Sequence, residues 1–173
     1  MKKEYDYPWN LIEDLKRQCW FQSHYNPTEM QISAADVDRL INTLDPYTRE
    51  IMLSRYKDKM KYEELAQKYT KFTFATIGPH CRRALDHMAW SHVMIRTAEQ
   101  KGKTSIATLP LPTRVINALI RSNMYNIEDV TSCSYAQIKR IRGIDRYGYN
   151  VLLQIFQEHD IDTSLMLPDD MSA

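Results

Sequence analysis

The sequence "IKRIRGIDRYGY", residues 138–149, contains two of the four glycines in the 173-residue chain. Four cationic side chains lie around Gly143 and Gly148, and Ile144 follows the first glycine directly. A glycine between two helical patterns permits a tight turn, and an apolar neighbour anchors that turn to a core. The stretch therefore predicts a helix-hairpin-helix turn, in which N–H groups at the start of the next helix suit a phosphate.

Helical periodicity surrounds this turn on both sides. It predicts helices at about 112–122, 126–131, 134–140 and 146–158. Ser134 and Gln137 have the spacing of a capping box at the start of the third of these helices. In the first helix, polar residues recur at positions i, i+3 and i+7 and so share one face. These residues are Arg114, Asn117 and Arg121.

The rest of the chain is also rich in helix formers and lacks alternating β-branched runs. It predicts helices at about 8–21, from Ser33 onward, at 46–56, at 61–69, and a longer one that ends near Glu99. Pro79 is expected to break or restart that last helix. The predicted fold class is all-α: a helix-turn-helix bundle followed by a small helix-hairpin-helix domain.

The segment "EQKGKTS", residues 99–105, is charged and lacks apolar residues, so we expect it to be a linker. The predicted organisation follows from this boundary. It comprises an N-terminal helical extension (1–32), a helix-turn-helix domain (33–98), the linker, a helix-hairpin-helix domain (106–165) and an acidic tail (166–173).

Charge is unevenly distributed along a chain whose formal net charge is +1. Residues 41–103 carry 12 basic and 7 acidic side chains, a net charge of +5, and residues 104–159 carry 6 and 4, a net charge of +2. Two mildly basic bodies permit a polyanionic partner. Three scattered cysteines and the lack of a long apolar run predict free thiols and a cytoplasmic location without membrane contact.

Motifs typical of enzymes and metal sites are not found. The chain has no phosphate-binding glycine loop, no HExxH and no nucleophile elbow, so we expect no catalytic residues and no enzyme. His80 and His87 could share a helix face, but no carboxylate or cysteine completes a metal set with them. We therefore expect no metal and no other cofactor.

Residues 40–88 have a specific order: a proline turn, an apolar helix ending in "SRY", "YEELAQKY", a second turn and a helix ending in "RRAL". This order resembles region 4 of the bacterial sigma-70 family. The resemblance implies a helix-turn-helix that binds upstream promoter DNA and contacts RNA polymerase. Its candidate DNA contacts are Lys71, Thr73, Thr76, His80, Arg82 and Arg83.

The base-reading positions of that family fall on Phe74, Ala75, Gly78 and Pro79 in this chain. None of these side chains can form a hydrogen bond with a base edge. The segment therefore either contacts phosphate alone or has become a protein-binding surface.

Residues 105–161 resemble the C-terminal domain of the RNA polymerase alpha subunit, including the order Leu109, Leu111, Arg114, Asn117 and Leu119. The resemblance implies that Arg114 and Asn117 enter the minor groove of AT-rich DNA, which an arginine recognises by its shape. The remaining predicted contacts are Arg121, Gly143, Ile144, Arg146 and Gly148. Asp145 falls where the family has glycine, and it would repel a phosphate unless it caps the following helix.

Together these resemblances predict a DNA-binding transcription regulator. Its partners would be double-stranded AT-rich promoter DNA and bacterial RNA polymerase, and its compact form indicates a phage or mobile element. The alternative is a protein-interaction factor that does not bind DNA and occludes RNA polymerase or another host protein. The target promoter, the sign of regulation and the oligomeric state stay open.

Overall fold

A computed structural model describes residues 6–20 and 31–168, and these residues form an all-α structure, as predicted. Within them an isolated antiparallel bridge, Ser105 with Asn126, is the only extended pairing. Two 3-10 turns lie at Ile106–Thr108 and Ser164–Met166. The helices are α1 (Trp9–Trp20), α2 (Ala34–Ile41), α3 (Pro46–Tyr56), α4 (Tyr62–Lys68), α5 (Phe74–Gln100), α6 (Thr113–Arg121), α7 (Ile127–Thr131), α8 (Tyr135–Arg140) and α9 (Arg146–Glu158).

Side-chain caps explain where several of these helices begin. Ser33 accepts a hydrogen bond from the N–H of Asp36 at the start of α2, and Asp45 accepts one from Thr48 at the start of α3. Ser134 and Gln137 form the predicted capping box of α8. Caps satisfy N–H groups that have no partner within the helix. The predicted helix positions are therefore close to the observed ones.

The chain divides into two compact units, Met1–Val93 and Met94–Ala173. In the first unit, α1 buries Leu11, Ile12 and Leu15 completely. Polar contacts join α1 to α3: the Asn10 amide donates to the Tyr56 carbonyl at 2.7 Å, and the Tyr56 hydroxyl donates to Asp14 at 3.1 Å. Hydrogen bonds as well as apolar packing therefore hold α1 in the first unit.

Pro79 does not break the helix, and this prediction was wrong. It is the sixth residue of α5, which continues to Gln100. Ile77 is fully buried before the proline and Cys81 is almost fully buried after it. Packing on both sides of Pro79 therefore outweighs the loss of its N–H and the crowding of its ring against the preceding turn.

In the second unit the core is formed by side chains such as Ile106, Leu119, Leu152 and Phe156, which are almost inaccessible to solvent. The chain after α9 also belongs to this core. Met166 is fully buried, and the Tyr149 hydroxyl donates to its carbonyl at 2.7 Å. The first residue of the predicted acidic tail, Met166, thus packs in this core, and the hydrogen bond from Tyr149 ties its backbone to α9.

The predicted linker at 99–105 is only partly a free connection. Its first two residues lie in α5, and its last three are held by residues of the 126–129 segment. Lys103 pairs with Asp129 at 3.1 Å, and the Thr104 N–H donates to Glu128 at 3.1 Å. The end of the predicted linker is therefore bound within the second unit and is not a free connection.

Two predicted segments lie partly outside the described residues. These are the N-terminal extension, at residues 1–5 and 21–30, and the acidic tail, at residues 169–173. Within the described ranges, no helix has both the length and the apolar character needed to cross a bilayer.

Candidate nucleic-acid interface

Helix α6 presents a polar face and a buried face, as its sequence predicts. Val115, Ile116 and Leu119 are buried. Arg114, Asn117 and Arg121 are exposed, and the Arg121 Nε donates to the Asn117 carbonyl at 2.9 Å. The predicted groove residues therefore share one solvent-facing surface.

The turn between α8 and α9 lies against the buried side of α6. Gly143 has a φ of 105°, and a Cβ added there would lie 3.3 Å from the Ala118 Cβ. Ile144 is only 6% exposed and anchors the turn in the core. A Cβ on Gly148 would lie 3.4 Å from Val115 Cγ2. The structure thus brings the predicted hairpin residues to the helix that carries Arg114.

Asp145 joins the two elements. Its Oδ1 accepts a hydrogen bond from the Gly148 N–H at 2.8 Å, so Asp145 caps α9, as its position allows. Its Oδ2 lies 3.0 Å from Arg114 Nη1. The hydrogen bond from the Gly148 N–H lowers the pKa of Asp145 most; burial opposes this shift, and the Arg114 guanidinium lowers the pKa further. Asp145 is therefore ionised at neutral pH and paired with the principal candidate groove residue.

The first turn of α9 also carries two exposed side chains. Arg146 is exposed, and Tyr147 is 75% exposed. Tyr147 was not among the predicted contacts, because the sequence alone does not show that Tyr147 is exposed while Tyr149, two residues on, is buried. An aromatic ring beside Arg146 adds a surface that can pack on sugar or base faces.

In the first unit, the predicted contacts at the start of α5 are spread over several environments. Lys71 lies over the Tyr47 ring, 4.8 Å from its centroid. Thr73 and Thr76 bond to each other, with the Thr73 N–H donating to Thr76 Oγ1 at 2.9 Å. These three side chains and the predicted contacts Arg82 and Arg83 are all exposed.

His80 faces inward and is a poor candidate for phosphate contact. Its Nε2 lies 3.1 Å from the Thr48 hydroxyl, and its ring packs 4.4 Å from the Phe72 ring. Burial lowers the pKa of His80, and the nearby Arg83 lowers it further, while Asp45 opposes the shift. The sequence placed His80 on the basic face because it could not show the partner on α3.

The lowered pKa of His80 predicts a loss of stability on acidification. Below the ordinary pKa of 6.5 the unfolded chain takes up a proton more readily than the folded one, so the free energy of unfolding falls as the pH drops. His80→Gln retains a hydrogen-bonding group toward Thr48 and should weaken this dependence. Urea unfolding at pH 7.5 and 5.5 can be followed by tryptophan fluorescence, because all three tryptophans lie in the first unit.

Burial also lowers the pKa of His87, so a residual pH dependence is expected in the variant. His87→Gln serves as the comparison. An unchanged difference between the two pH values in His80→Gln would show that His80 is not a source of the effect.

The positions predicted to face a base in the first unit are open to solvent. Phe74 is 61% exposed, Ala75 and Pro79 are exposed, and Gly78 is half-buried. Exposed apolar side chains at the start of a helix offer contact area to a protein more readily than hydrogen bonds to a base.

Within the described residues, no three histidine, cysteine or acidic side chains come together as a possible metal site. Comparisons of the chain with protein-family models, curated proteins and solved structures gave no match. Any function must therefore be inferred from the residues of the site itself.

Proposed function

We propose that the protein is a DNA-binding transcription regulator that engages AT-rich upstream promoter DNA together with bacterial RNA polymerase. The observation that carries the proposal is the exposed row of Arg114, Asn117 and Arg121 on α6, directly beside the α8–α9 turn. The resemblances to sigma region 4 and to the alpha C-terminal domain give this surface its interpretation.

The proposed contact combines groove and backbone recognition. The Arg114 side chain is 69% exposed and can extend into a narrow minor groove, where the negative potential is strongest. Asn117 lies one turn further along the same face, and Arg121 follows it by four residues. Arg146 at the start of α9 is the proposed contact to a neighbouring phosphate. Such contacts release counterions from DNA, so the affinity falls as the salt concentration rises.

Arg114→Ala is expected to weaken binding to an AT-rich duplex by about tenfold and to remove the preference over a GC-rich duplex of equal length. Fluorescence anisotropy with labelled duplexes, at several salt concentrations, measures both quantities. Arg140→Ala is the matched control, because it removes the same charge from an exposed position in the last turn of α8. It should leave the AT preference intact.

Two results would count against DNA recognition by this surface. One is a lack of binding to either duplex at low salt. The other is an equal loss of affinity in Arg114→Ala and Arg140→Ala, since that would indicate a general charge effect.

A second candidate function is supported by the exposure of Phe74. In that case α5 docks on a protein, and the chain occludes RNA polymerase or another host factor without binding DNA. If the chain does not bind a duplex, co-purification with core polymerase tests this second function. Phe74→Ser should then reduce the amount of polymerase recovered, whereas Arg114→Ala should not.

A further inference from the structure

The carboxylate of Asp145 holds Arg114, which the proposed function assigns to DNA, and the N–H of Gly148, which the sequence predicts as a DNA contact. One oxygen accepts the Gly148 N–H in the first turn of α9 at 2.8 Å, and the other lies 3.0 Å from the Arg114 guanidinium. A helix N-terminus and an arginine are the donors that a DNA phosphate would use. In the free protein both donors are therefore already paired with the carboxylate of Asp145.

We propose that Asp145 is a built-in competitor of DNA, whose carboxylate pairs with Arg114 in the free protein and so limits the affinity of the Arg114 surface for duplexes. This inference rests on the proposed function and assigns a regulatory residue to the same site. It also explains how an aspartate can be compatible with DNA binding at a position where a negative charge should be repulsive.

Arg114 can exchange its contact with Asp145 for a contact with DNA. The side chains of Arg114 and Asp145 are 69% and 48% exposed, and a pair in this environment is weak because water screens it. Arg114 can leave Asp145 without opening the core, since Val115 and Ile144 hold the backbone on both sides. The narrow groove of AT-rich DNA offers the stronger potential needed to draw the guanidinium away.

The capping role allows the charge of Asp145 to be removed without removing the cap. Asparagine and serine cap helices about as well as aspartate, because each offers an oxygen to the N–H of the third residue. Asp145→Asn and Asp145→Ser should therefore fold like the parent chain. Circular dichroism and thermal unfolding of both variants verify this before binding is measured.

Both variants are expected to bind an AT-rich duplex about three- to tenfold more tightly than the parent chain. The slope of log affinity against log salt should steepen by about one unit, because Arg114, once neutralised by Asp145, now neutralises negative charge of the DNA. Glu158→Gln is the control. It changes net charge equally at the far end of α9, where Glu158 accepts from Gln154, and it should alter neither affinity nor slope.

The outcomes distinguish this inference from the proposed function. If the parent chain binds the duplex and neither Asp145 variant gains affinity, Asp145 is not a competitor, and the proposed DNA function still stands. An equal gain in Glu158→Gln also overturns the competitor, because net charge would then be the cause. If neither the parent chain nor the variants bind any duplex, the proposed function fails and the competitor fails with it.

Discussion

Gly143→Ala should destabilise the second unit by about 3 kcal/mol. The φ of 105° lies outside the region that residues with a Cβ adopt readily, and such strained positions cost about 1–3 kcal/mol. The added Cβ would also approach the Ala118 Cβ to 3.3 Å, closer than ordinary packing allows. Both effects act at the turn that places Asp145 beside Arg114.

Hydrogen exchange of peptides from α6 and α9 measures this loss, because the tryptophans of the chain report on the other unit. Gly102→Ala is the matched control in the second unit. Gly102 has a φ of 65°, and no atom lies within 4 Å of an added Cβ. Its loss should be about 1 kcal/mol. Equal losses at the two glycines would show that close approach to α6 contributes nothing.

Pro79→Ala should stabilise the first unit by about 2 kcal/mol. Proline inside a helix removes one backbone hydrogen bond and crowds the preceding turn, at a cost of about 3 kcal/mol relative to alanine. Pro79 is exposed, so its replacement removes little packing. Urea unfolding followed by tryptophan fluorescence measures the gain at neutral pH, with a higher midpoint and an unchanged slope.

Gly78→Ala tests the same helix at the adjacent residue. An added Cβ would meet the Tyr62 ring at 3.9 Å, which is ordinary contact, so a smaller gain of about 0.5–1 kcal/mol is expected. If Pro79→Ala is neutral while Gly78→Ala stabilises, the proline ring contributes packing that its exposure does not reveal.

The sequence predicted the features that local chemistry controls. Ser33, Asp45 and Ser134 start their helices through hydrogen bonds to residues three positions away, so each start is visible in a short window. The apolar stripe of α6 follows from its periodicity in the same way. These signals were sufficient for the all-α class and for the helix positions.

What the sequence did not show are contacts between residues far apart in the chain. His80 was predicted as a DNA contact, and the structure shows its ring beside Thr48, 32 residues away. Pro79 was expected to end a helix because propensity is local, whereas the packing that overrides it involves other helices.

The candidate site also combines features that are visible in a short stretch of sequence with a contact between distant residues. The exposure of Arg114 and Asn117 was predicted from helical periodicity. The position of Asp145 before α9 allowed a capping role. The ion pair between Arg114 and Asp145 spans 31 residues and depends on how the α8–α9 turn lies on α6. Only the folded chain shows that these two charges meet.

The hydrogen bond from Tyr149 to Met166 limits how far the chain can be shortened. A fragment that stops before Met166 would leave a buried hydroxyl without an acceptor and open space where a fully buried side chain packs. A fragment that retains Met166 keeps both contacts. A fragment of the second unit must therefore extend to Met166, the partner of Tyr149. It cannot stop where α9 ends, at Glu158.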